Sequence, residues 1–512
     1  MYNDTIFVIS NKTDKRRERV VRRRSIVRQF ALNTSTHGIT GIARSESMHN
    51  RIFWSTSFVV FTGITIFFVT QEIPKYFESS TQTSVDIVNE WPQHFTAFTI
   101  CNLAPVRYDL FVQSFSNYTA TLNITNANDK NSMSLQQIKP MGDFFQMKIN
   151  RNESLDEFFF PLSSMLMTCV FNGRACSVVN FTSFSSSSYG FCYTFNAKLK
   201  NINSVHYSDE YGGPGLLNLG FYVHSHQYVP YIREGVGMIA MLHDNAQLPM
   251  IDSAGMALAT GFKHRITYTK KIISYLRSPY STCDDKILPM MQTMFDNYQS
   301  TEYGYTEDIC YELCTQINSF QYRYKHCGCI DPLQWNARWV FLPETEQMIL
   351  APLCNISNKC YPEEAYVFLT SSSLLEKHCS YCPQQCFITD FSIKNSLWKT
   401  PPAWLVDDIK RFAENSKIPL PHDWLTNWRS HIDASYLSIE LVHESTRIEN
   451  YTQTATLTAV GVLSNVGGQT GLWIGVSFLS LIELAEMLYR LTRQQYHTMR
   501  RNCNRTNDES KI

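Results

Sequence analysis

The sequence predicts an α+β membrane protein with two transmembrane helices and a large disulfide-rich domain between them. Three observations support this fold class. Two apolar runs, at 52–69 and 452–482, lie near opposite ends of the 512-residue chain. Basic side chains flank both runs on the sides facing the termini, and fourteen of the fifteen cysteines lie between the runs. An even number of cysteines in one segment is typical of disulfide bonds formed in an oxidising compartment.

The charge pattern favours a membrane over a nucleic acid as the partner of the basic residues. The formal net charge is zero, so there is no global attraction to a strongly charged partner. No zinc-finger, helix-turn-helix or RNA-binding aromatic motif accompanies the basic arm, so no nucleic-acid partner is expected. Positive residues beside apolar runs mark the cytosolic side of a membrane, which predicts that both termini are cytosolic. These residues are Lys15, Arg16, Arg17, Arg19, Arg22, Arg23, Arg24 and Arg28 before the first run, and Arg490, Arg493, Arg500 and Arg501 after the second.

The first run has the length of one transmembrane helix, which we predict at 52–70. The preceding residues, 1–51, are expected to form a cytosolic segment without a removable signal peptide, since the start of the chain has no apolar core and no cleavage site of small residues. The pair His37-Gly38 lies in this segment. Its spacing alone favours an ordinary polar turn.

Residues 71–451 are predicted to form an extracellular domain large enough for its own core. Strand-forming residues cluster at 95–101, 221–242, 266–275 and 435–443, and a helix is expected over 284–298. Residues 110–160 are polar and mixed, which predicts a peripheral elaboration. The strand at 435–443 is expected to lead into the second run and to transmit motion to it. Five asparagines in acceptor motifs are expected to carry sugars: Asn117, Asn123, Asn152, Asn180 and Asn355.

The segment 283–386 is dense in cysteines, and their spacing leaves two kinds of site open. Cys310 and Cys314 would share one face of a helix. The pair beginning at Cys327 and the group beginning at Cys379 each have the spacing of half a zinc site. The oxidising compartment and the lack of a suitably spaced histidine favour disulfides, so no metal ion or other cofactor is expected. Spacing alone does not give the pairing.

The second run combines many glycines with an uncharged length, and two interpretations fit it. Gly467, Gly471 and Gly475 recur at every fourth position, a pattern that describes tight helix packing in any membrane protein. The same small residues would also let several backbones approach one another around a water-lined path. Such a constriction binds cations when its oxygens replace part of their hydration shell.

Two acids at the end of the run favour the water-lined path. A charged side chain deep in lipid costs at least about 2.5–3.5 kcal/mol, so such residues usually face protein or water. Glu483 is therefore a candidate for attracting cations. Glu486 lies one helical turn closer to the cytosol, and we interpret it as an acid at the membrane interface. We expect a pre-pore segment and the second helix at 452–489 and a cytosolic C-terminus at 490–512.

Four separate blocks give the chain a resemblance to one family. They are His37-Gly38, Phe95–Asn102, the cysteine-rich stretch Tyr305–Pro332, and Gly467–Ser477. In these blocks the chain resembles the degenerin and epithelial sodium channel superfamily, which includes the acid-sensing channels, and it is most similar to the insect pickpocket-type branch. Thr96 departs from the proline usual in that family. The resemblance covers nearly the whole chain.

The resemblance implies an architecture and a function. The architecture is a trimer around a central pore, with an ectodomain of palm, β-ball, finger, thumb (283–386) and knuckle parts. The function is that of a subunit of a voltage-independent, sodium-permeable cation channel in the plasma membrane of sensory or epithelial cells. Amiloride sensitivity and gating by an extracellular ligand or by force are part of this expectation. The partners would be related subunits in a homo- or heterotrimer, membrane lipid and sodium ions.

Two other classes of protein compete with this expectation. A non-conducting two-span receptor or a modulatory subunit is the alternative, and the acid at Glu483 argues against it. An enzyme is not expected, and no catalytic residue is assigned, because no nucleophile–base pair or metal motif stands between the runs.

The resemblance also assigns roles to individual residues. Gly475-Val476-Ser477 falls on the selectivity tripeptide, and threefold symmetry would make Glu483 a ring of carboxylates that attracts cations. Asn465 stands where relatives often have aspartate. Gating is assigned to His37, Gly38 and Ser464, and coupling of the thumb to the pore to Tyr76 and Tyr280. The implied disulfides are Cys101–Cys192, Cys169–Cys176, Cys283–Cys386, Cys310–Cys382, Cys314–Cys379, Cys327–Cys360 and Cys329–Cys354.

Overall fold

A computed structural model describes residues 23–509, except 124–129, 131–132, 134–136, 201–204, 209–216, 297, 299, 333–337, 343–346 and 380. Most of the basic N-terminal arm, Lys15–Arg22, therefore lies outside the described residues. The chain divides into two compact units. The first consists of residues 1–82 and 454–512, and the second of residues 83–453.

Helices and strands alternate irregularly along the chain, as in a mixed α/β protein. The helices are α1 (23–33), α2 (His37–Arg44), α3 (Met48–Phe77), α4 (Tyr108–Thr121), α5 (Ile138–Asn150), α6 (Leu162–Met165), α7 (Ile251–Ala254), α8 (Pro289–Asp296), α9 (Glu307–Cys327), α10 (Cys360–Thr370), α11 (Ser372–Cys379), α12 (Val406–Glu414), α13 (Trp424–Ser435), α14 (Ala459–Ile474) and α15 (Phe478–Glu509). The strands are β1 (Thr81–Asn89), β2 (Gln93–His94), β3 (Ala97–Asn102), β4 (Leu166–Phe171), β5 (Arg174–Ala175), β6 (Phe181–Ser186), β7 (Gly190–Phe195), β8 (Tyr207–Ser208), β9 (Leu217–Tyr222), β10 (Gly237–His243), β11 (Met256–Ala259), β12 (Phe262–Ser274), β13 (Trp339–Leu342), β14 (Gln347–Leu350), β15 (Phe387–Lys399), β16 (Tyr436–His443) and β17 (Arg447–Ala455).

The helices of the first unit include a long apolar one near the N-terminus. Helix α3 starts where the Ser47 hydroxyl accepts a hydrogen bond from the Asn50 amide, and it extends beyond the predicted span 52–70 at both ends. By length and composition, α3 can cross a bilayer. The pair Ala459–Ile474 and Leu479–Arg500 passes the same test when taken together, although the two helices are bent by 73° relative to each other.

The second unit is built on two sheets that share a core. One sheet has eight strands in the order β1-β17-β12-β16-β9-β4-β5, with β15 paired to β12, and the other has five in the order β11-β10-β3-β7-β6. β12 runs parallel to β16 and β17 and antiparallel to β15. Alternate side chains of both sheets fill one apolar cluster that includes Phe95, Phe98, Phe221 and Leu437, all fully buried.

The segment 110–160, predicted to be a peripheral elaboration, contains an apolar core that its polar composition does not indicate. Helices α4 and α5 lie there and enclose a second core of aromatic rings. The rings of Phe111 and Phe115 stack 4.8 Å apart, and Phe144 meets both edge-on. The two phenylalanines stand four residues apart, a helical spacing that the surrounding polar residues obscure.

Three other elements differ from the sequence prediction. The stretch 221–242 holds the end of β9 and most of β10 rather than one strand-like segment. The helix expected over 284–298 is shorter and begins at Pro289, where the missing N–H costs nothing. The strand expected at 435–443 is β16, but it does not lead directly into the second run because β17 follows it.

Seven disulfide bonds cross-link the second unit, and they join the same cysteine pairs that the family resemblance implies. Cys310 and Cys314, one turn apart on α9, bond to Cys382 and Cys379, so the bonds are nested. An antiparallel arrangement of α9 and α11 produces this order, because early residues of one helix then lie opposite late residues of the other.

The expected sugar acceptors lie at accessible positions. The side chains of Asn117, Asn123, Asn152, Asn180 and Asn355 are all exposed, so each could carry a glycan without disturbing the core. Asn123 and Asn152 also adopt left-handed backbone conformations, which asparagine tolerates in turns.

Candidate functional site

Helix α14 ends at Ile474, and the next residue is Gly475, the first of the predicted selectivity tripeptide. Gly475 has a φ of +66°, a left-handed conformation that glycine adopts without a steric penalty. The amides of Gly475 and Val476 donate to the carbonyls of Gly471 and Thr470, both at 3.2 Å. The second run is therefore not one helix with the tripeptide inside it. It is two helices, and Gly475-Val476-Ser477 is the break between them.

Helix α15 begins with a reciprocal pair of serine bonds. The Ser477 amide donates to the Ser480 hydroxyl oxygen at 3.0 Å, and the Ser480 amide donates to that of Ser477 at 3.4 Å. This arrangement satisfies two amides that a helix start would otherwise leave without partners. The small polar side chain at Ser477 thus fixes where the chain re-enters a helix.

The ring of His37 packs directly against Gly475. A Cβ atom placed on Gly475 would lie 2.7 Å from Cδ2 of His37 and 3.1 Å from its Nε2. Glycine is required here by two conditions at once, the left-handed φ and the contact with the ring. The structure thus brings together two blocks of the sequence that lie more than 430 residues apart.

The glycines of α2 allow that helix to lie close to α3. A Cβ on Gly38 would be 2.2 Å from the Phe58 ring, and one on Gly41 would be 2.5 Å from the Trp54 ring. The spacing of His37-Gly38 alone favoured a polar turn, and this is wrong because a helix begins at His37. The missed signal is Gly41, which stands three residues after Gly38 on the same helix face.

Glu483 binds to the segment that precedes α2. The Ser35 amide donates to its Oε2 at 3.1 Å, and the hydroxyls of Ser35 and Ser480 hydrogen-bond to each other. Glu486, by contrast, forms an ion pair with Arg490 one turn away at 2.6 Å, and both side chains are largely exposed.

A cavity of about 180 Å³ lies beside these acids, between α1 and α15. It is lined by Ile26, Gln29, Phe30, Asn33, Thr34, Glu483, Glu486, Met487 and Arg490.

The bulky side chain of Trp473 packs between two helices. Its indole stacks on Phe61 with ring centroids 5.9 Å apart and on Phe68 with centroids 6.2 Å apart. Its Nε1 donates to Gln469 at 2.8 Å. The indole therefore joins α14 to α3 and keeps its only polar atom bonded within α14.

One face of α14 has no neighbour among the residues that the structure describes. Ser464 is exposed, and a Cβ added to Gly467, Gly468 or Gly471 would meet nothing within 4 Å. The glycine repeat thus does not pack α14 against α3. This face is available to a water-filled path or to the helices of other subunits.

A hydrogen bond in the N-terminal half of α14 was not predicted from the sequence. The Asn465 side-chain amide donates to Oε2 of Glu72 on α3 at 3.0 Å. The other carboxylate oxygen of Glu72 accepts from Lys75 at 2.8 Å. Asn465 drew attention because relatives often have aspartate there, but its partner could not be found without knowing how the two helices face each other.

The two tyrosines assigned to coupling belong to different units. Tyr76 lies near the end of α3, where its ring meets that of Phe77 edge-on at 5.4 Å. Tyr280 is half-buried in a turn of the second unit, and its amide donates to the Arg277 carbonyl at 3.2 Å.

Three acids, Glu302, Glu307 and Asp308, lie near the start of α9, and none of the described ion pairs or hydrogen bonds joins two of them. Glu302 forms an ion pair with Lys198 at 2.8 Å. A different carboxyl is perturbed: burial raises the pKa of Glu312, and the nearby Asp252 carboxylate raises it further. Glu312 was not singled out from the sequence, since burial of an acid leaves no pattern in its neighbours.

Comparisons with known proteins agree with the resemblance. The family profile described as "Amiloride-sensitive sodium channel" matches residues 30–487. The chain is 24% identical to acid-sensing ion channel 1C of Danio rerio over 92% of its length and 85% of the relative's. It is likewise 24% identical to acid-sensing ion channel 2 of Homo sapiens over 91% of its length and 87% of the relative's. It is 28% identical to epithelial sodium channel subunit beta of Neoceratodus forsteri over 65% of its length and 47% of the relative's.

Proposed function

Because the chain belongs to the amiloride-sensitive sodium channel family, whose members are ion channels rather than enzymes, we propose that it is a pore-forming subunit of a voltage-independent, sodium-permeable cation channel. Gly475-Val476-Ser477 is its selectivity filter. The observation that carries this proposal is the break between α14 and α15, which falls at these three residues and is held by His37 and Ser480.

A broken helix supplies what a cation filter needs. The last carbonyls of a helix have no intrahelical donors, and carbonyl oxygens can replace part of the hydration shell of an ion. Discontinuous membrane helices bind ions in this manner. Gly475 and Ser477 have small side chains, so the backbones of three subunits can converge there.

The uncovered face of α14 supports a trimer. Ser464, Gly467 and Gly471 lie on this face, with room for other subunits around a central path. Assembly is with identical or related subunits, and Ser464 marks the position where a bulky side chain holds the pore open.

The position of Glu483 supports a role at the inner end of the pore. Its carboxylate bonds to Ser35, and three copies around the axis would concentrate cations below the filter. His37 and Gly38 then act on gating by supporting the filter from the cytosolic side.

Two membrane spans, α3 and the α14–α15 pair, place both termini in the cytosol and the second unit outside the cell. The seven disulfides and the five exposed acceptor asparagines of that unit fit an extracellular location.

Tyr76 and Tyr280 transmit movement of the disulfide-rich region 283–386 to the pore. Force or an extracellular ligand opens the channel, and amiloride blocks it.

Current recording tests this function. The chain is expressed with Ser464→Phe, alone and with a related subunit, and Ser464→Ala is the matched small control. A sustained inward sodium current with Ser464→Phe and little with Ser464→Ala is expected. Surface-expressed protein that passes no current under either condition would contradict a pore-forming role and favour the modulatory one. A sugar on Asn11 or Asn504 would contradict the topology.

A further inference from the structure

A serine in helix α1 directly follows a run of arginines. Residues 22–24 are all arginine, and the next residue is Ser25. No other serine or threonine of the chain stands directly after an arginine pair or one residue beyond it. The nearest acid before Ser25 is Glu18, and the nearest after it is Glu46. The hydroxyl of Ser25 therefore lies in a strongly positive stretch of the chain.

The side chain of Ser25 is accessible on α1. Ser25 and Arg28 are exposed, whereas Ile26 and Phe30 are half-buried and line the cavity beside α15. Ser25 lies in the first described turn of α1, and the ends of helices open more readily than their middles. An enzyme can therefore reach this hydroxyl, while the apolar side chains of α1 are turned toward α15.

Arginines before a hydroxyl are the feature by which one class of protein kinase selects its substrates. Kinases choose substrates partly by charge pattern, and carboxylates in a substrate groove bind guanidinium groups through paired, charge-assisted hydrogen bonds. The preference for positive residues on the cytosolic side of a membrane explains the arginines, but it does not require a serine among them.

We propose that Ser25 is a phosphorylation site for a serine kinase that selects arginine-rich substrates. The kinase transfers the γ-phosphoryl group of ATP to Oγ of Ser25. The bond between this group and ADP breaks, the Oγ–P bond forms, and the hydroxyl proton passes to the catalytic base of the kinase. The proposal rests on the proposed function for its topology, because the kinase and ATP are cytosolic.

A phosphate on Ser25 has a cationic partner within the same helix. Arg28 stands three residues further on, so the two side chains are neighbours on the helix surface. A phosphoserine carries a charge of about −1.5 to −2 at pH 7 and forms strong hydrogen bonds with guanidinium groups. A negative group early in a helix is also stabilised by the helix dipole. Both effects stabilise α1.

Helix α1 leads directly to the residue that holds Glu483. The Thr34 amide, just after α1, donates to the Phe30 carbonyl at 2.8 Å, and the Ser35 amide donates to Oε2 of Glu483 at 3.1 Å. Glu483 also lines the cavity that α1 closes on one side. Phosphorylation of Ser25 therefore changes the charge and the stability of the helix that positions the partner of Glu483, which makes it a means of regulating the inner end of the pore.

Phosphorylation of the purified full chain tests the proposal. The chain in detergent is incubated with ATP that carries a labelled γ-phosphate and with the catalytic subunit of cAMP-dependent protein kinase, which selects arginine-rich substrates. Mass spectrometry locates the phosphate. The variants are Ser25→Ala and the pair Arg22→Gln with Arg23→Gln. The matched control is the pair Arg16→Gln with Arg17→Gln, which removes the same charge farther upstream.

The wild type and the control pair should take up phosphate on Ser25, and Ser25→Ala should lose most of the label. The Arg22 and Arg23 substitutions should slow the uptake roughly tenfold, because they remove charge-assisted bonds to the kinase. Label that is equal in the wild type and Ser25→Ala, or that falls equally in both arginine pairs, would overturn the proposal.

Hydrogen exchange tests the effect of the phosphate on α1. The amides of residues 24–33 should exchange about two- to fivefold more slowly in the phosphorylated chain, and Arg28→Gln should remove part of this protection. Unchanged exchange would overturn the stabilising role.

The chain isolated from cells with the activated kinase should also carry phosphate on Ser25. A phosphorylated chain that passes no current would contradict the pore and leave this site standing. A conducting chain whose Ser25 stays unmodified in such cells would overturn this proposal and leave the pore standing.

Discussion

The imidazole of His37 lies so close to Gly475 that no side chain fits between them, since a Cβ on the glycine would be 2.7 Å from the ring. His37 precedes the apolar helix α3, and Gly475 directly follows α14. The contact therefore makes the shape of the proposed filter depend on the segment before α3. It gives the His-Gly pair a physical role, as support for the break between α14 and α15.

Gly475→Ala should disrupt the filter for two reasons. The methyl group would press against His37, and a left-handed alanine costs about 1–2 kcal/mol. We expect the sodium current in the Ser464→Phe background to fall at least tenfold at equal surface expression.

The control for this substitution is Gly63→Ala on α3, where an added Cβ meets nothing within 4 Å. Pairing Gly475→Ala with His37→Ala should recover part of the current, because the clash is removed while the backbone strain remains. Normal current and ion preference in Gly475→Ala alone would show that the contact does not shape the pore.

Trp473→Ala should loosen α14 from α3. The indole stacks on Phe61 and Phe68, and each ring pair is worth about 0.5–1.5 kcal/mol beyond its buried area. The variant should melt at a lower temperature in detergent, whereas Trp473→Phe should keep most of the stability. The same melting temperature for the alanine variant would mean that the stack contributes nothing.

Disulfide bonds that close long loops should matter more than those that close short ones. The Cys101–Cys192 bond spans 91 residues and the Cys169–Cys176 bond spans 7. Loop-closure entropy predicts losses of about 5 and about 2 kcal/mol when each pair is replaced by serine. Unfolding under non-reducing conditions measures both. The reverse order would indicate that native-state packing, rather than loop length, determines the effect.

Acid should destabilise the second unit partly through His243. This residue is buried, its Nε2 lies 2.7 Å from the Thr99 hydroxyl, and burial lowers the pKa of its ring to about 4. The unfolded chain takes up this proton near pH 6.5, so stability falls as the pH drops from about 6.5 to about 4. Uptake of one proton by the unfolded chain lowers the free energy of unfolding by about 1.4 kcal/mol per pH unit. The expected loss over this range is therefore about 3 kcal/mol.

His243→Gln cannot take up that proton. Between pH 4 and 6.5 its free energy of unfolding should therefore depend less steeply on pH, by an amount that corresponds to about one proton, even if the variant is less stable at pH 7. Denaturant unfolding of both proteins between pH 4 and 7 provides the comparison. Parallel curves would contradict the assignment.

The sequence was most informative where a pattern follows directly from a physical requirement. Apolar length predicted α3, and the uncharged run that precedes Glu483 predicted the apolar segment that holds α14 and the start of α15. Spacing could not pair the cysteines, because pairing depends on which helices lie opposite each other; the family resemblance supplied it. The aromatic core around Phe111 was missed because polar residues and acceptor motifs outnumber the buried rings in that stretch.

The break between α14 and α15 was not predicted, although the residues that permit it are visible in the sequence. Glycine at 475 permits the left-handed turn, and serines at 477 and 480 permit the reciprocal cap. Other glycines in the run remain helical, so composition alone does not say which one ends α14. The left-handed turn falls at the glycine that contacts His37, and that contact joins distant parts of the chain.

The most direct test of the account is the sodium-to-potassium permeability ratio of Ser464→Phe channels with and without Ser477→Ala. Loss of the Ser477 hydroxyl removes one of the reciprocal cap bonds with Ser480, so the filter should loosen. With Ser477→Ala we expect a ratio at least several-fold lower at equal surface expression, and a smaller conductance when Glu483→Ala is added. An unchanged ratio and conductance in both variants would contradict the placement of the pore.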